Sequence, residues 1–379
     1  MIYADNGATT INKPDVVIDA MVEAMKRPWG NPSRGGHAFS LDALKVMDND
    51  RMTVADFFGV SAYWNLGFTP NSTVALNIAI KGSLNPGDHV IYSPWEHNSA
   101  LRPLYQMEEL GVELDMIPSS DGSWYMDDLS KLYKSNTKAL VINAMSNVTG
   151  QKAPIEDVKA FAKEKNLLLI LDISQAAGVV PFVFDNSWGN TLVAFTGHKS
   201  LYGPRGSGGL IAIGDISMEP VITGGSGIHS FDKRHPTTFP EICEAGTGNL
   251  PAVHGLAAAI KWLSSSDNKG HEDYLYALRE QFYLGVKDLP GVKVYGGHSR
   301  EHGSVVALNI KDIPSSKISE ILDQRFGIAT RPGSHCAPMW HLTNGTKSQG
   351  VVRFSFSLFN TKEEIQKCIE AVEILTSEL

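Results

Sequence analysis

Cysteine is scarce in this chain, and long apolar runs are missing. Only three of the 379 residues are cysteines, Cys243, Cys336 and Cys368, and none belongs to a Cys-x-x-Cys pair. Three cysteines cannot all pair within one chain, so we expect neither a disulfide framework nor a metal site. No stretch reaches the roughly 20 apolar residues that a membrane-spanning helix needs. Residues 1–5 lack a basic segment followed by an apolar one, so we expect no secretory signal and a cytoplasmic location.

Positive charge is also in short supply. Lys and Arg number 33 against 41 Asp and Glu, which gives a net charge of -8. Nucleic-acid backbones are bound by clustered basic residues, and no such cluster is present, so we expect no nucleic-acid partner. The length of 379 residues with 42% hydrophobic residues is typical of a folded protein of two domains.

The middle of the chain alternates short apolar runs with helix-like segments. Between two runs, Ile155, Val158, Phe161 and Ala162 recur at helical spacing. Runs that are apolar on both faces indicate strands buried within a mostly parallel sheet, and strand-helix-strand order predicts an α/β layered domain. The runs occupy residues 89–92, 139–142, 167–171, 192–195 and 210–213.

The last third of the chain has a different pattern. Residues 305–310 read as a strand, and Thr361 with Glu364 forms a capping-box pattern ahead of an amphipathic terminal helix. We predict a smaller α+β domain here. The expected division is a large domain over residues 15–251 and a small domain formed by residues 1–14 and 252–379.

Lys199 follows the predicted strand 192–195 in the sequence Thr196-Gly197-His198-Lys199. A lysine at a rigid strand end can form an imine with an aldehyde cofactor. Thr196 and His198 can donate hydrogen bonds to a nearby phosphate. Taken alone, the motif fits a surface lysine in a turn better, since lysine is a common residue.

Asp172 ends the strand 167–171, and Gln175 follows three residues later. A buried carboxylate needs a cationic partner, and a protonated pyridine nitrogen is such a partner in sites for pyridoxal 5'-phosphate (PLP). Gln175 can then hydrogen-bond the ring hydroxyl. The alternative is an aspartate that caps a helix after a strand.

Two further motifs are weak when taken singly. Ser72 and Thr73 open a helical run, where hydroxyls and free backbone N–H groups make an anion site. His97 follows the strand 89–92 and could stack on a flat ring and move protons. An ordinary helix cap and a packed histidine are the alternatives. Because all these motifs follow successive strands, they should meet at one sheet edge.

Cys336 lies in the loop Arg331-Pro332-Gly333-Ser334-His335-Cys336. Beside His335 and Arg331 its thiol could act as a thiolate nucleophile, although an inert thiol is the commoner fate of a free cysteine. Cys243 and Cys368 are expected to be structural. Arg353 can bind a carboxylate with two parallel hydrogen bonds, or form a surface ion pair.

Together these motifs resemble the class V branch of fold-type I PLP enzymes, and within it the cysteine desulfurase/selenocysteine lyase family. The resemblance runs from Tyr3 to Thr361. Its most specific segments are residues 3–10, 30–33, 146–150, 197–199, 244–247 and 331–336. It implies a large domain with a mostly parallel seven-stranded sheet flanked by helices, and a smaller α+β C-terminal domain.

The resemblance assigns a role to each candidate residue. Lys199 becomes the Schiff-base lysine, His97 stacks on the ring, and Cys336 carries the persulfide. Asp172 and Gln175 contact the ring, while Asn147, Arg331 and Arg353 bind the substrate or lie beside it. The phosphate ligands are expected to be Ser72, Thr73, Thr196, His198 and, from the other subunit of a homodimer, Thr247.

The expected reaction is removal of sulfur from L-cysteine, which gives L-alanine and a persulfide on Cys336. Three alternatives stay open: a selenocysteine lyase, a class V aminotransferase or racemase that does not use Cys336, and an inactive scaffold that only binds a sulfur-acceptor protein. The cysteine motif is similar to the family's second group. Two departures are the phosphate turn, which reads Ser72-Thr73-Val74, and the usual double histidine, which reads Glu96-His97. A sulfur-acceptor protein is an expected partner.

Overall fold

The structure is a computed structural model that describes residues 1–32, 35–120 and 122–378. Ser33, in the predicted segment 30–33, lies outside the described residues. Across these ranges, none of the helices has the length and apolar character needed to span a bilayer.

Helices and strands alternate through most of the described chain. The helices are α1 (Asp15–Lys26), α2 (Ala38–Phe57), α3 (Ser72–Ser83), α4 (Asn98–Glu109), α5 (Met126–Lys131), α6 (Ile155–Glu164), α7 (Leu250–Leu263), α8 (His271–Val286), α9 (Ser315–Phe326), α10 (Pro338–Thr343) and α11 (Lys362–Glu378). The strands are β1 (Ile2–Tyr3), β2 (Leu66–Thr69), β3 (His89–Tyr92), β4 (Glu113–Met116), β5 (Thr137–Asn143), β6 (Leu168–Asp172), β7 (Thr191–Thr196), β8 (Gly208–Ile213), β9 (Val292–Tyr295), β10 (Val305–Ile310), β11 (Ile328–Ala329) and β12 (Val352–Ser355).

The large sheet has seven strands in the order β2-β8-β7-β6-β5-β3-β4. Strand β8 runs antiparallel to both of its neighbours, β2 and β7, and the other pairs are parallel. The five apolar runs predicted as strands all lie in this sheet. The α/β fold with a mostly parallel seven-stranded sheet is therefore confirmed.

The apolar runs are explained by burial on both faces of the sheet. In β6, Leu169 and Leu171 pack into one hydrophobic cluster with helices α2 and α7. Leu168 and Ile170 point to the opposite face and pack with residues of α3 and α4. Since side chains alternate between the faces of a strand, a strand covered on both sides must be apolar throughout.

The C-terminal part of the chain forms a smaller α+β unit. Its antiparallel sheet has the order β12-β10-β9, and a third hydrophobic cluster packs it against α8, α9 and α11. The predicted capping box of α11 is present: the Glu364 N–H donates to the Thr361 hydroxyl at 3.2 Å, and the Thr361 N–H donates to a Glu364 carboxylate oxygen at 3.2 Å. The residue boundaries given above for the two domains stay a prediction.

Candidate active site

A cavity of about 290 Å³ lies at the carboxyl ends of β5, β6 and β7. It gathers most of the residues that the sequence singled out. Those that line it are Ser72, Thr73, His97, Asn147, Asp172, Gln175, Thr196, His198, Lys199, Arg331 and Arg353. Cys336 and Thr247 are not among its lining residues.

Lys199 lies in the turn after β7, and the backbone of this turn is closely held. Its carbonyl accepts from the Tyr202 N–H at 2.9 Å and from the Thr10 hydroxyl at 3.3 Å. Gly197 is required in the turn because a Cβ there would lie 2.2 Å from the Ser207 hydroxyl oxygen. Burial lowers the pKa of the Lys199 amine to about 8, against the raising effect of Asp172. Near physiological pH, a much larger fraction of this amine is therefore neutral than in an ordinary lysine.

Asp172 presents a buried carboxylate at the end of β6. Its Oδ1 accepts from the Ser174 N–H at 2.9 Å and from the Ser174 hydroxyl at 2.5 Å. Burial raises the pKa of this carboxyl, although the Ser174 hydrogen bonds and the charge of Lys199 oppose that shift. Neither bond satisfies Oδ2, so the carboxylate can take a further cationic donor.

His97 caps α4 with its own ring. Its Nδ1 accepts from the Ser99 N–H at 3.0 Å, which leaves the ring proton on Nε2. Burial, together with the charges of Lys199, Arg331 and Arg353, lowers the pKa of His97 to about 3. The imidazole is therefore neutral at physiological pH, and it can lie against an aromatic ring without adding charge.

The start of α3 and the end of β7 form an anion-binding corner. Asn71 caps α3 by accepting the Val74 N–H at 3.1 Å, and Ser72 and Thr73 form the first turn, where N–H groups lack helical partners. The Thr196 hydroxyl is buried and has no hydrogen-bond partner among the described residues. His198 lies beside this corner, with its Nδ1 at 3.1 Å from the Thr9 hydroxyl.

Arg353 on β12 is the buried cation of the cavity, with 1% of its side chain exposed. Its guanidinium donates to the Asp5 carboxylate at 2.9 Å and to the Asn147 carbonyl at 2.9 Å, while Nε has no partner in the described chain. Gln175 donates to the Gly7 carbonyl at 2.8 Å. The N-terminal segment therefore contacts both Gln175, which follows β6, through Gly7, and Arg353 on β12, through Asp5.

The Cys336 loop packs against the cavity wall without lining it. His335 and Cys336 both adopt left-handed backbone conformations, with φ of 51° and 56°. The Cys336 carbonyl accepts from the Asn98 N–H at 2.8 Å, and the His335 carbonyl accepts from the Asn147 side chain at 2.6 Å. The Cys336 side chain is half-buried and lies near enough to Lys199 to influence the pKa of that amine.

Thr247 lies outside the cavity of its own chain. It is exposed, and its hydroxyl accepts from the Asn31 amide at 3.3 Å. The loop that carries it is held by Glu244, which forms a bidentate ion pair with Arg51 and also accepts the Phe68 N–H at 2.7 Å.

Several residues at the cavity escaped the sequence analysis. Asn71 follows a strand and precedes a helix, a pattern that signals a helix cap and could have been noticed. Asn143, Ser174 and Ser99 lie at or just after the same strand ends as the predicted residues and could have been found by the same argument. Gly7 and Ala8 reach the site only through long-range packing. These lining residues are Gly7, Ala8, Asn71, Ser99, Asn143 and Ser174.

Glu96 precedes His97 and is hydrogen-bonded to Asn143, which lines the cavity. Its carboxyl is fully buried and accepts from the Ser93 hydroxyl at 2.6 Å and the Asn143 N–H at 2.6 Å. Burial raises the pKa of this carboxyl well above its ordinary value. It ties the ends of β3 and β5 together just before His97.

The chain is similar to a known family model and to several known proteins. The family model described as "Aminotransferase class-V" matches residues 2–368. A relative from Vibrio cholerae named "Probable cysteine desulfurase" is 32% identical over 98% of this chain and 93% of its own length. A Haloferax volcanii cysteine desulfurase is 28% identical over 98% of this chain and 89% of its own.

Solved structures agree with this result. The apo structure of a cysteine desulfurase from Thermococcus onnurineus superposes with a TM-score of 0.92 at 31% identity, and the match covers 100% of this chain and 95% of that one. The chain therefore belongs to the class V aminotransferase family and, within it, to the family of the cysteine desulfurases.

Proposed function

We propose that this chain is a PLP-dependent cysteine desulfurase, which converts L-cysteine to L-alanine and leaves the sulfur as a persulfide on Cys336. One observation carries the proposal. The cavity that contains Lys199, Asp172 and Arg353 is walled by Asn147, and Asn147 is hydrogen-bonded to the Cys336 loop at His335.

The residues of the cavity fit PLP. Among the described residues, neither Asp172 Oδ2 nor the Thr196 hydroxyl has a hydrogen-bond partner. The first suits a protonated pyridine nitrogen, and the second, with the start of α3, suits a phosphate. We assign Ser72, Thr73, Thr196 and His198 to the phosphate, and Gln175 and His97 to the ring. When bound, PLP supplies an aldehyde that reacts with amines and a ring that withdraws electrons from the substrate's Cα.

Lys199 serves both to attach the cofactor and to move protons. Its lowered pKa of about 8 makes the amine available as a nucleophile and then as a base at the substrate's Cα. The Nζ that accepts this proton can return one to the substrate's Cβ. His97, neutral with its proton on Nε2, is the second group that can donate.

Arg353 and Asn147 are assigned to the substrate carboxylate. Arg353 keeps unused donors at the cavity, and a guanidinium can hold a carboxylate with two parallel hydrogen bonds. Arg331 lies next to Arg353 through paired backbone hydrogen bonds of 2.8 and 3.2 Å, and it adds a second positive charge. Both charges favour an α-amino acid over a simple amine.

Cys336 supplies the sulfur acceptor. Its thiolate sulfur attacks the substrate sulfur, an S–S bond forms, and the substrate's Cβ–S bond breaks. The electron pair of that bond stays on Cβ, which takes up a proton to give L-alanine, while Cys336 keeps the persulfide. A thiol reductant or an acceptor protein then removes the sulfur and restores the thiol.

The Cys336→Ser variant tests this assignment. We expect alanine and sulfide formation from L-cysteine to be lost while the cofactor's absorbance remains, since the cavity is unchanged. Cys368→Ala, a cysteine buried in the small unit, is the matched control and should keep the activity. Full cysteine activity in Cys336→Ser would remove the assignment.

Selenocysteine lyase is the second candidate, favoured by the position of Cys336 outside the cavity lining. A selenolate is the better leaving group, so its release does not require attack by a thiolate. Assays with both substrates distinguish the two functions. A lyase acts on selenocysteine but not on cysteine, and keeps that activity in Cys336→Ser. A desulfurase acts on cysteine and loses that activity in the variant.

We also propose a homodimer in which Thr247 reaches the phosphate in the partner's cavity. Its exposure and its absence from the cavity of its own chain support this arrangement. Lys199→Ala and Thr247→Asp should each be inactive, because one lacks the amine and the other repels the phosphate. Mixed and refolded together, they should regain activity, since one site of each hybrid carries both native residues. Failure to regain activity in a dimer proven to be mixed contradicts the proposal.

A further inference from the structure

The buried cation Arg353 has a carboxylate partner that the proposed reaction does not use. The Arg353 guanidinium donates to Asp5 Oδ1 at 2.9 Å, and the exposed fractions of the two side chains are 1% and 21%. Burial lowers the pKa of Arg353, and the charge of Asp5 opposes that shift. Asp5 is therefore the anion that partly neutralises this guanidinium in the absence of substrate.

Asp5 is held in place by the same strand that carries Arg353. The Ser355 N–H donates to the Ala4 carbonyl at 2.7 Å, and the Asn6 N–H donates to the Ser355 carbonyl at 3.3 Å. The Gly7 N–H donates to the Ser355 hydroxyl at 2.8 Å. Since Ser355 is two residues from Arg353 on β12, the carboxylate and the guanidinium keep a fixed relation.

The guanidinium is also confined on its other sides. Its second donor goes to the Asn147 carbonyl at 2.9 Å, and a Cβ on Gly7 would come within 3.2 Å of the Arg353 Cζ. An arginine has five N–H donors, so these two bonds leave three of them uncommitted among the described residues, and the Arg353 side chain lines the cavity. The side chain is fixed in one orientation while it still has donors to offer.

We propose that Asp5 is a positioning residue for Arg353, which orients the guanidinium and moderates its attraction for the substrate's carboxylate. The inference rests on the proposed function, in which Arg353 binds that carboxylate. An uncompensated guanidinium in a buried site would hold any amino-acid carboxylate more strongly, including that of the product. Asp5 thus keeps the affinity for L-alanine low and allows its release.

The charge effect can be separated from a structural effect by comparing two ligands. L-Alanine carries the carboxylate and L-alaninamide lacks its charge. Titrating each into the holoenzyme and following the cofactor's absorbance gives two dissociation constants per variant. Asp5→Asn removes the charge and keeps an acceptor of the same length. If Asp5→Asn fails to fold, Asp5→Ser also removes the charge and keeps a shorter hydrogen-bond acceptor.

We expect Asp5→Asn to bind L-alanine more tightly, by several-fold to about tenfold, with no change for L-alaninamide. The kcat for L-cysteine should fall together with KM, because the product leaves more slowly. Asp312→Asn, which removes an exposed charge elsewhere, should change neither the dissociation constant of L-alanine nor that of L-alaninamide. Equal changes for both ligands, no change, or weaker alanine binding would overturn the inference.

Arg353→Gln distinguishes this inference from the proposed function. If Arg353 binds the carboxylate, this variant loses the preference for L-alanine over L-alaninamide. If Arg353→Gln loses that preference and Asp5→Asn binds both ligands like wild type, the proposed role of Asp5 is refuted. The assignment of Arg353 to the substrate carboxylate then stands. Where Arg353→Gln keeps the preference, the carboxylate assignment itself fails.

Discussion

The side-chain amide of Asn147 donates a hydrogen bond of 2.6 Å to the backbone carbonyl of His335. This bond joins the wall of the cavity to the residue that precedes Cys336. His335 and Cys336 have φ values of 51° and 56°, a left-handed conformation that costs non-glycine residues about 1–3 kcal/mol each unless the surroundings enforce it. Asn147 therefore helps to hold the Cys336 loop in an unfavourable backbone conformation.

Removing this donor should uncouple the loop from the cavity. We expect Asn147→Ala to slow persulfide formation on Cys336 by about tenfold or more even at saturating L-cysteine, where weaker carboxylate binding no longer matters, because the two sulfurs no longer meet in a fixed geometry. Mass spectrometry of the alkylated protein after a single turnover measures the persulfide directly. Cofactor absorbance should be retained.

Asn136→Ala is the matched control for this prediction. Its amide also donates to a backbone carbonyl, that of Gly87 at 3.1 Å, but on an exposed loop. That variant should form the persulfide at the wild-type rate. Wild-type rates in Asn147→Ala as well would show that the loop holds its conformation without this bond.

The three thiols should differ sharply in reactivity. Burial raises the pKa of Cys368 to about 12 and that of Cys243 well above its ordinary value, whereas Cys336 is half-buried in a loop. Thiolates are the reactive species, so brief treatment of the native protein with iodoacetamide should modify Cys336 alone. Peptide mass spectrometry identifies the site, and labelling in denaturant should reach all three. Native labelling of Cys243 or Cys368 would contradict the burial argument.

The sheet and its active edge could be predicted from the sequence because burial leaves a local signature. Strands covered on both faces, such as β6 with Leu169 and Ile170, have no polar positions until the strand ends. The first polar residue after the run, Asp172, then marks the edge where ligands bind. Lys199 could be predicted in the same way, because it lies in the turn that follows the buried strand β7.

The N-terminal part of the site has no such signature. Strand β1 has two residues and pairs with β11 near the other end of the chain, through Ile2 and Ile328. Neither periodicity nor composition predicts such a pairing, so the contacts of Asp5 and Gly7 with Arg353 appear only in the folded chain. The position of Cys336 outside the cavity lining also depends on loop geometry, which a motif does not specify.

The pH dependence of cofactor uptake should reflect the burial of Lys199. Its neutral amine is the reacting form, and burial lowers its pKa from 10.5 to about 8. After the cofactor is removed, the rate at which added PLP is bound should rise with pH and level off above about 8. Stopped-flow absorbance measures this rate, and Lys199→Ala should show no such phase. A rise that continues to pH 10 would indicate an ordinary, solvated lysine.

The close approach of Gly7 to Arg353 provides a test of the carboxylate clamp that leaves every charge unchanged. A Cβ at Gly7 would lie 3.2 Å from both the Arg353 Cζ and the Ser355 hydroxyl, so Gly7→Ala must displace the guanidinium by a few tenths of an ångström. We expect KM for L-cysteine to rise by about tenfold with a smaller effect on kcat, because a bidentate contact tolerates little displacement. Steady-state kinetics with the holoenzyme measures both constants. The control is Gly297→Ala, where the added Cβ meets only the His302 ring at an ordinary 3.7 Å and KM should stay at the wild-type value. An unchanged KM in Gly7→Ala would mean that the guanidinium has more freedom than its contacts with Asp5 and Asn147 imply.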